Sequence, residues 1–172
     1  IHLSRSLLPC LSVGAFVAAF APRASAAPKP TEAPAKAFPG NVGVQLYSFR
    51  AELKRDVPGT LAKVKALGFD VVEVHDLYGL SAEAFRKALD DARLDARGFM
   101  APFERLRDDV VGVIADSKAL GAEWVACAWV PHQNQVYTAE DNANAITVFN
   151  AAGRAIKAAG LRFAYHVHGY EF

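Results

Sequence analysis

Apolar residues along this chain recur with two alternating periods. In "TLAKVKAL" from Thr60, "AEAFRKALDDARL" from Ala82, "DDVVGVIADSKAL" from Asp108 and "DNANAITVFNAAGRAIKAA" from Asp141 they return every three or four positions, the spacing of one helical face. Between these segments lie near-continuous apolar runs rich in β-branched and aromatic residues: "VGVQLYSF" from Val42, "DVVEVH" from Asp70, "DARGFMA" from Asp95, "WVACAWV" from Trp124 and "RFAYHVH" from Arg162. Such runs predict parallel strands covered on both faces. Lys65-Ala-Leu-Gly68, Lys118-Ala-Leu-Gly121 and Lys157-Ala-Ala-Gly160 each stand before a strand, and each reads as a helix closed by a glycine in the left-handed conformation. Ser81 can cap the second helix, although Ala84 three residues on leaves no capping box. The pattern predicts an α/β domain of about five parallel strands with four intervening helices, wound right-handed.

The first 40 residues do not share this rhythm. His2 and Arg5 precede an apolar run from Leu7 to Ala21, which is shorter than the ~20 residues a helix needs to cross a bilayer. Ala24 and Ala26 then give a small-residue cleavage pattern before Ala27. Residues 1–26 are therefore expected to be a secretory signal peptide, which predicts an exported, periplasmic protein with no stable membrane anchor after cleavage. Residues 27–40, "APKPTEAPAKAFPG", have no periodicity and read as a Pro/Ala-rich linker, so the folded domain is expected over 41–172. Removal of the leader removes Cys10 and leaves Cys127 alone, which excludes an intrachain disulfide.

Composition sharpens this picture at two points. With 52% hydrophobic and 22% charged residues, the 172-residue chain is a globular protein with one core. Its net charge of +1, with Lys and Arg dispersed, gives nucleic acid no electrostatic footprint.

Two architectures accept the predicted elements, an open doubly wound sheet and a barrel. The first would need a G-x-G-x-x-G turn after its first strand to bind a dinucleotide, and "VGVQLYSFRAEL" has none. A barrel places its polar residues at the C-terminal ends of successive strands. They fall there in this chain: Gln45, Tyr47 and Ser48 after the first strand, Glu73 and His75 after the second, Trp129 and His132 after the fourth, and His166, His168 and Glu171 after the fifth. The expected fold is a partial (β/α)8 TIM barrel, since a closed one takes ~250 residues and eight strands.

His166 and His168 stand two apart on a strand and so share a face. Two imidazoles with the carboxylate of Glu171 suit a divalent cation such as zinc, manganese, cobalt or magnesium. Such an ion polarises a carbonyl while a carboxylate removes the neighbouring proton, and Glu171 can be ligand or base. The bland alternative is a solvated polar rim. Glu73 and His75 share a face and can orient substrate or take part in acid-base chemistry, with a satisfied buried glutamate as the structural alternative. Gln45 and Tyr47 are candidate substrate contacts. Trp129 can stack on a sugar ring or belong to the core, and His132 lies in the polar loop "PHQNQVYTAED".

The segments "VGVQLYSFR", "GTLAKVKALGFDVVEVHDLYG", "WVPH" and "FNAAGRAIKAAGLRFAYHVHGYEF" resemble the sugar phosphate isomerase/epimerase family of xylose isomerase-like TIM barrels, in its exported bacterial branch. The resemblance runs from about Asn41 to Phe172. It implies a divalent-metal site at the barrel mouth acting on a sugar, keto-sugar or related polyol, with ligands drawn from strands five to eight. The chain stops inside that series, so it is expected to be the N-terminal part of such a protein and inactive alone. Relatives often carry Glu where His166 stands, and a histidine where this chain has Met100, a residue that exchanges no protons. A keto-sugar lyase or dehydratase on the same scaffold and a non-catalytic exported sugar-binding protein are the alternative functions. A genuine short product would expose its first and fifth strands as unpaired edges, which invite self-association into a homo-oligomer.

Overall fold

The computed structural model describes residues 40–134 and 136–172. The expected signal peptide and nearly all of the expected linker lie outside the described residues. Five strands, β1 (Gly43–Gln45), β2 (Val71–Val74), β3 (Asp95–Met100), β4 (Trp124–Cys127) and β5 (Arg162–Tyr165), form one sheet in the order β1-β2-β3-β4-β5, every neighbouring pair parallel. This is the strand arrangement of half a TIM barrel.

Among the described residues six α-helices connect the strands: α1 (Arg50–Leu53), α2 (Val57–Ala66), α3 (Ala82–Ala92), α4 (Phe103–Asp108), α5 (Val110–Leu120) and α6 (Ala139–Ala158). Four were expected. The additional two are short and follow strands whose ends were read as too long. Gln45 ends β1, and Leu46–Phe49 is a 3-10 turn that buries Leu46 and leads into α1. Tyr47 and Ser48 therefore belong to this turn rather than to the strand. After β3, Pro102 breaks the ladder, and α4 buries Phe103 and Leu106, three positions apart, on its inner side.

Helix starts are set by side-chain caps. Asp56 accepts from the Gly59 amide at 3.0 Å and starts α2 three residues before Thr60, with Pro58 in the first turn. Ser81 caps α3 through the Ala84 amide at 3.2 Å, as expected from the sequence. Thr138 and Asp141 form a full capping box at the start of α6: Thr138 Oγ1 accepts from the Asp141 amide at 3.1 Å, and the Asp141 carboxylate accepts from the Thr138 amide at 2.8 Å. Thr138→Ala removes one arm of this box and is expected to cost about 1 kcal/mol, to be read as a lower urea midpoint at unchanged slope. The three predicted glycine stops hold, with φ of +94° at Gly68, +77° at Gly121 and +85° at Gly160.

Burial separates the two faces of the sheet. Val72, Val74, Phe99 and Val125 are buried under the helices, against Phe85 and Leu89 of α3, Val113 of α5 and Ile156 of α6. On the opposite, inner face the residues of β2 and β5 are half-buried to exposed, while Met100 of β3 and Ala126 of β4 are buried. The near-continuous apolar runs thus belong to strands with helices on one side only. Cys127 lies in the core as a free thiol, and burial raises its pKa.

Candidate functional site

Parallel pairing puts Gln45, Glu73, Gly98, Trp124 and Arg162 in one row across the five strands. Because side chains alternate in strands, this row projects from the inner face. Trp124 Nε1–H donates to Glu73 Oε1 at 3.2 Å, and Gln45 Nε2 donates to Glu73 Oε2 at 2.6 Å. The same amide nitrogen lies 3.4 Å from His166 Nδ1, so the first and last strands of the sheet are bridged across the inner face. Both Glu73 oxygens are occupied by protein donors, which is the structural alternative weighed for this residue. Gly98 makes the arrangement fit: a Cβ there would lie 2.3 Å from Trp124 Nε1. A cavity of about 340 Å³ opens beside Gln45, Glu73, Arg97 and Trp124. Trp124 was missed by sequence reasoning, although a glycine inside a strand is a signal of close approach by another group.

A second group stands at the ends of β1 and β2. The rings of Tyr47 and His75 meet edge to face with centroids 4.7 Å apart, and the Arg50 guanidinium covers the Tyr47 ring at 4.1 Å. His75, Asp76, Met100 and Arg105 border a cavity of about 270 Å³. Burial lowers the His75 pKa from its ordinary 6.5, with Arg50 and Lys54 acting in the same direction against Asp76 and Glu73. Burial thus favours the neutral form of the imidazole. Met100 is buried and gives the cavity an apolar wall.

The loops after β4 and β5 form the third group. His166 and His168 stack at 4.9 Å, His168 and Tyr170 at 5.8 Å, Tyr170 and His132 at 4.2 Å, and His132 meets Trp129 at 4.4 Å. Trp129 is half-exposed at the outer end of this column. His132 is packed among rings, not solvated as its polar loop suggested. Its Nδ1 lies 2.8 Å from the Val130 carbonyl and so carries the hydrogen, which leaves Nε2 as an acceptor, buried and without a protein partner. Tyr170, the centre of the column, and Tyr137, which meets it at 5.5 Å, were not singled out in the sequence.

Glu171 has its carboxylate held by protein donors beside the two histidines it was grouped with. Its carboxylate accepts from the His168 amide at 3.0 Å and from the Tyr165 hydroxyl, and Tyr165 in turn lies 3.0 Å from the Tyr170 hydroxyl. Tyr165 belongs to the helix-facing side of β5 and packs on Phe149 of α6. Burial acts to raise the Glu171 pKa, but the bonds from Tyr165 and His168 outweigh it and hold the carboxylate below its ordinary range; burial and the same carboxylate push Tyr165 up. His166, His168 and Glu171 consequently do not converge. Among the described residues, no three His, Cys, Asp or Glu side chains are grouped so as to hold a metal ion. The divalent cation expected from the sequence does not fit these three residues in this arrangement.

No protein-family model matches the chain, and neither does any curated protein. Solved structures do. Two sugar phosphate isomerase/epimerase structures from Parabacteroides distasonis superpose with TM-scores of 0.64 and 0.62, at 22% and 25% identity, over 80% and 74% of this chain and 55% of each of those chains. The IOLI protein, solved with a zinc atom, matches with a TM-score of 0.54 at 14% identity over 76% of this chain and 52% of its own. The chain spans about half the length of the solved structures it matches. Its five parallel strands match part of a TIM barrel fold, and its candidate residues stand on the inner face and at the C-terminal strand ends, where TIM barrels build their sites.

Proposed function

We propose that this chain belongs to an exported sugar isomerase or epimerase, and that the strand ends bind a sugar or keto-sugar from which a proton next to the carbonyl is moved. The observation that carries this reading is His75: a half-buried imidazole, its neutral form favoured by burial, beside an open cavity at the end of β2 and next to the polar row of the inner face. A base that is unprotonated at neutral pH can take the C–H proton adjacent to a carbonyl and return it to either face of the enediol or to the neighbouring carbon. Tyr47 holds the ring edge-on, and Gln45 and Trp129 offer a polar and an aromatic contact to the hydroxylated and apolar faces of a sugar. The similarity at 25% identity to a P. distasonis sugar phosphate isomerase/epimerase supports the same chemistry. The leader-like N-terminus supports export to the periplasm, where neutral or oxidised sugars are more available than sugar phosphates.

The test uses the protein isolated from its native source, its length fixed by intact mass. It is incubated in D2O with a panel of neutral and oxidised sugars, with and without manganese or zinc, and followed by NMR. Deuterium appearing at the carbon next to the carbonyl, followed by an epimer or ketose, is the expected result. Saturable sugar binding with no exchange under any condition would replace this reading with that of a sugar-binding protein.

A further inference from the structure

We infer that Trp124, Glu73 and Gln45 form a directional hydrogen-bond relay that fixes the tautomer of His166, so that this residue presents an Nε2–H donor at the barrel mouth rather than a free ring nitrogen. The polarity follows from the chemistry of each group. Trp124 Nε1 can only donate, and it donates to Glu73 Oε1 at 3.2 Å. A carboxylate can only accept, so the atom 2.6 Å from Glu73 Oε2 must be the Gln45 amide nitrogen, since its oxygen there would face another acceptor. The second hydrogen of that nitrogen is directed to His166 Nδ1 at 3.4 Å, a long bond but within reach. Nδ1 is then the lone-pair nitrogen and the ring hydrogen sits on Nε2. The remaining contacts of His166 leave this assignment alone: its backbone amide donates to the Cys127 carbonyl at 2.8 Å, and its ring face stacks on His168.

The relay explains several features together. Gly98 is required because the indole that begins the chain of donors lies directly over it. Glu73, read from the sequence as a candidate acid-base group, acts here through Gln45 and is a positioning residue. His166, read as a metal ligand, instead offers a hydrogen to an oxygen atom such as the carbonyl or a hydroxyl of the sugar; this last step rests on the function proposed above.

The inference is tested on protein carrying 15N-labelled histidine, by long-range proton–nitrogen spectra that separate the two neutral tautomers. In the wild type, His166 is expected to show a pyrrole-type Nε2 and a pyridine-type Nδ1. Glu73→Gln should invert the relay. The new amide keeps its oxygen on Trp124 and turns its nitrogen toward Gln45, Gln45 flips to present its oxygen, and that oxygen requires a hydrogen on His166 Nδ1. A shift of the His166 population to the Nδ1–H form is the expected result, with far-UV circular dichroism unchanged. A wild-type Nδ1–H form, or a tautomer indifferent to Glu73→Gln in a folded variant, overturns the inference. Addition of the sugar that supports exchange should shift the Nε2–H proton downfield. An Nε2–H tautomer that answers to Glu73→Gln but to no sugar upholds the relay and counts against the sugar reading alone.

Discussion

Replacing Gly98 with alanine is expected to destabilise the domain by about 2–4 kcal/mol, a large effect for one methyl group. The new Cβ would stand 2.3 Å from the Trp124 indole nitrogen, far inside contact distance. The indole is not a flexible chain end that can step aside, because it belongs to β4, is paired with β3 and β5, and donates its only hydrogen to Glu73. Moving it also strips one donor from a half-buried carboxylate that has no spare partner on that oxygen, so steric and desolvation costs fall on the same event. Urea unfolding of Gly98→Ala, Trp124→Ala and the double variant gives the measurement. The two changes should be strongly non-additive, with the double variant close to Trp124→Ala alone, because alanine at 98 costs little once the ring is gone. Additive losses would mean that Gly98 is needed for a reason other than the indole.

That the inner-face row went partly unread in the sequence has a physical cause. Strand and helix positions follow from local periodicity and from glycines at helix ends, and the α/β alternation from Thr60 to Tyr165 was legible on those grounds. The polar residues at strand ends were legible too, because a barrel gives them a common destination. Register was not. Whether Glu73 stands beside Gly98 or a neighbour depends on the irregularity in β3 opposite Val72 and Glu73, a one-residue shift that periodicity does not report. Trp124 therefore read as the start of an apolar strand, and its partnership with Glu73 across the intervening β3 was invisible. The same limit applies to Glu171: spacing placed it near His166 and His168, but a turn at the chain's last residues lets its carboxylate bind the His168 amide and the Tyr165 hydroxyl, and so it faces the helices instead. The short helices α1 and α4 were missed because each is only about one turn long, too short for a hydrophobic period to repeat.

The second large effect is expected at His75. On the function proposed above, His75→Gln should lower the exchange rate by roughly 100-fold or more while leaving KM little changed, since glutamine retains polarity and size but accepts no proton from carbon at neutral pH. The wild-type rate should fall on the acid side as the imidazole is protonated, and because burial lowers its pKa from 6.5, the midpoint of that limb should lie below 6.5. Stability is linked to the same group. The unfolded chain binds the proton more readily than the folded one, so the His75 contribution is fully present above 6.5 and is lost as pH falls through the lower folded value. His75→Gln should thus remove both the acid limb of the rate and part of the acid sensitivity of the unfolding midpoint. A rate that keeps its acid limb in His75→Gln would move the base elsewhere on the barrel mouth, while a lost limb with unchanged unfolding would assign the proton to His75 and the acid sensitivity of the fold to other groups. Cavity geometry favours the joint loss, because His75 reports to solvent and to the fold through one ring, held edge-on by Tyr47 and facing the buried Met100 wall.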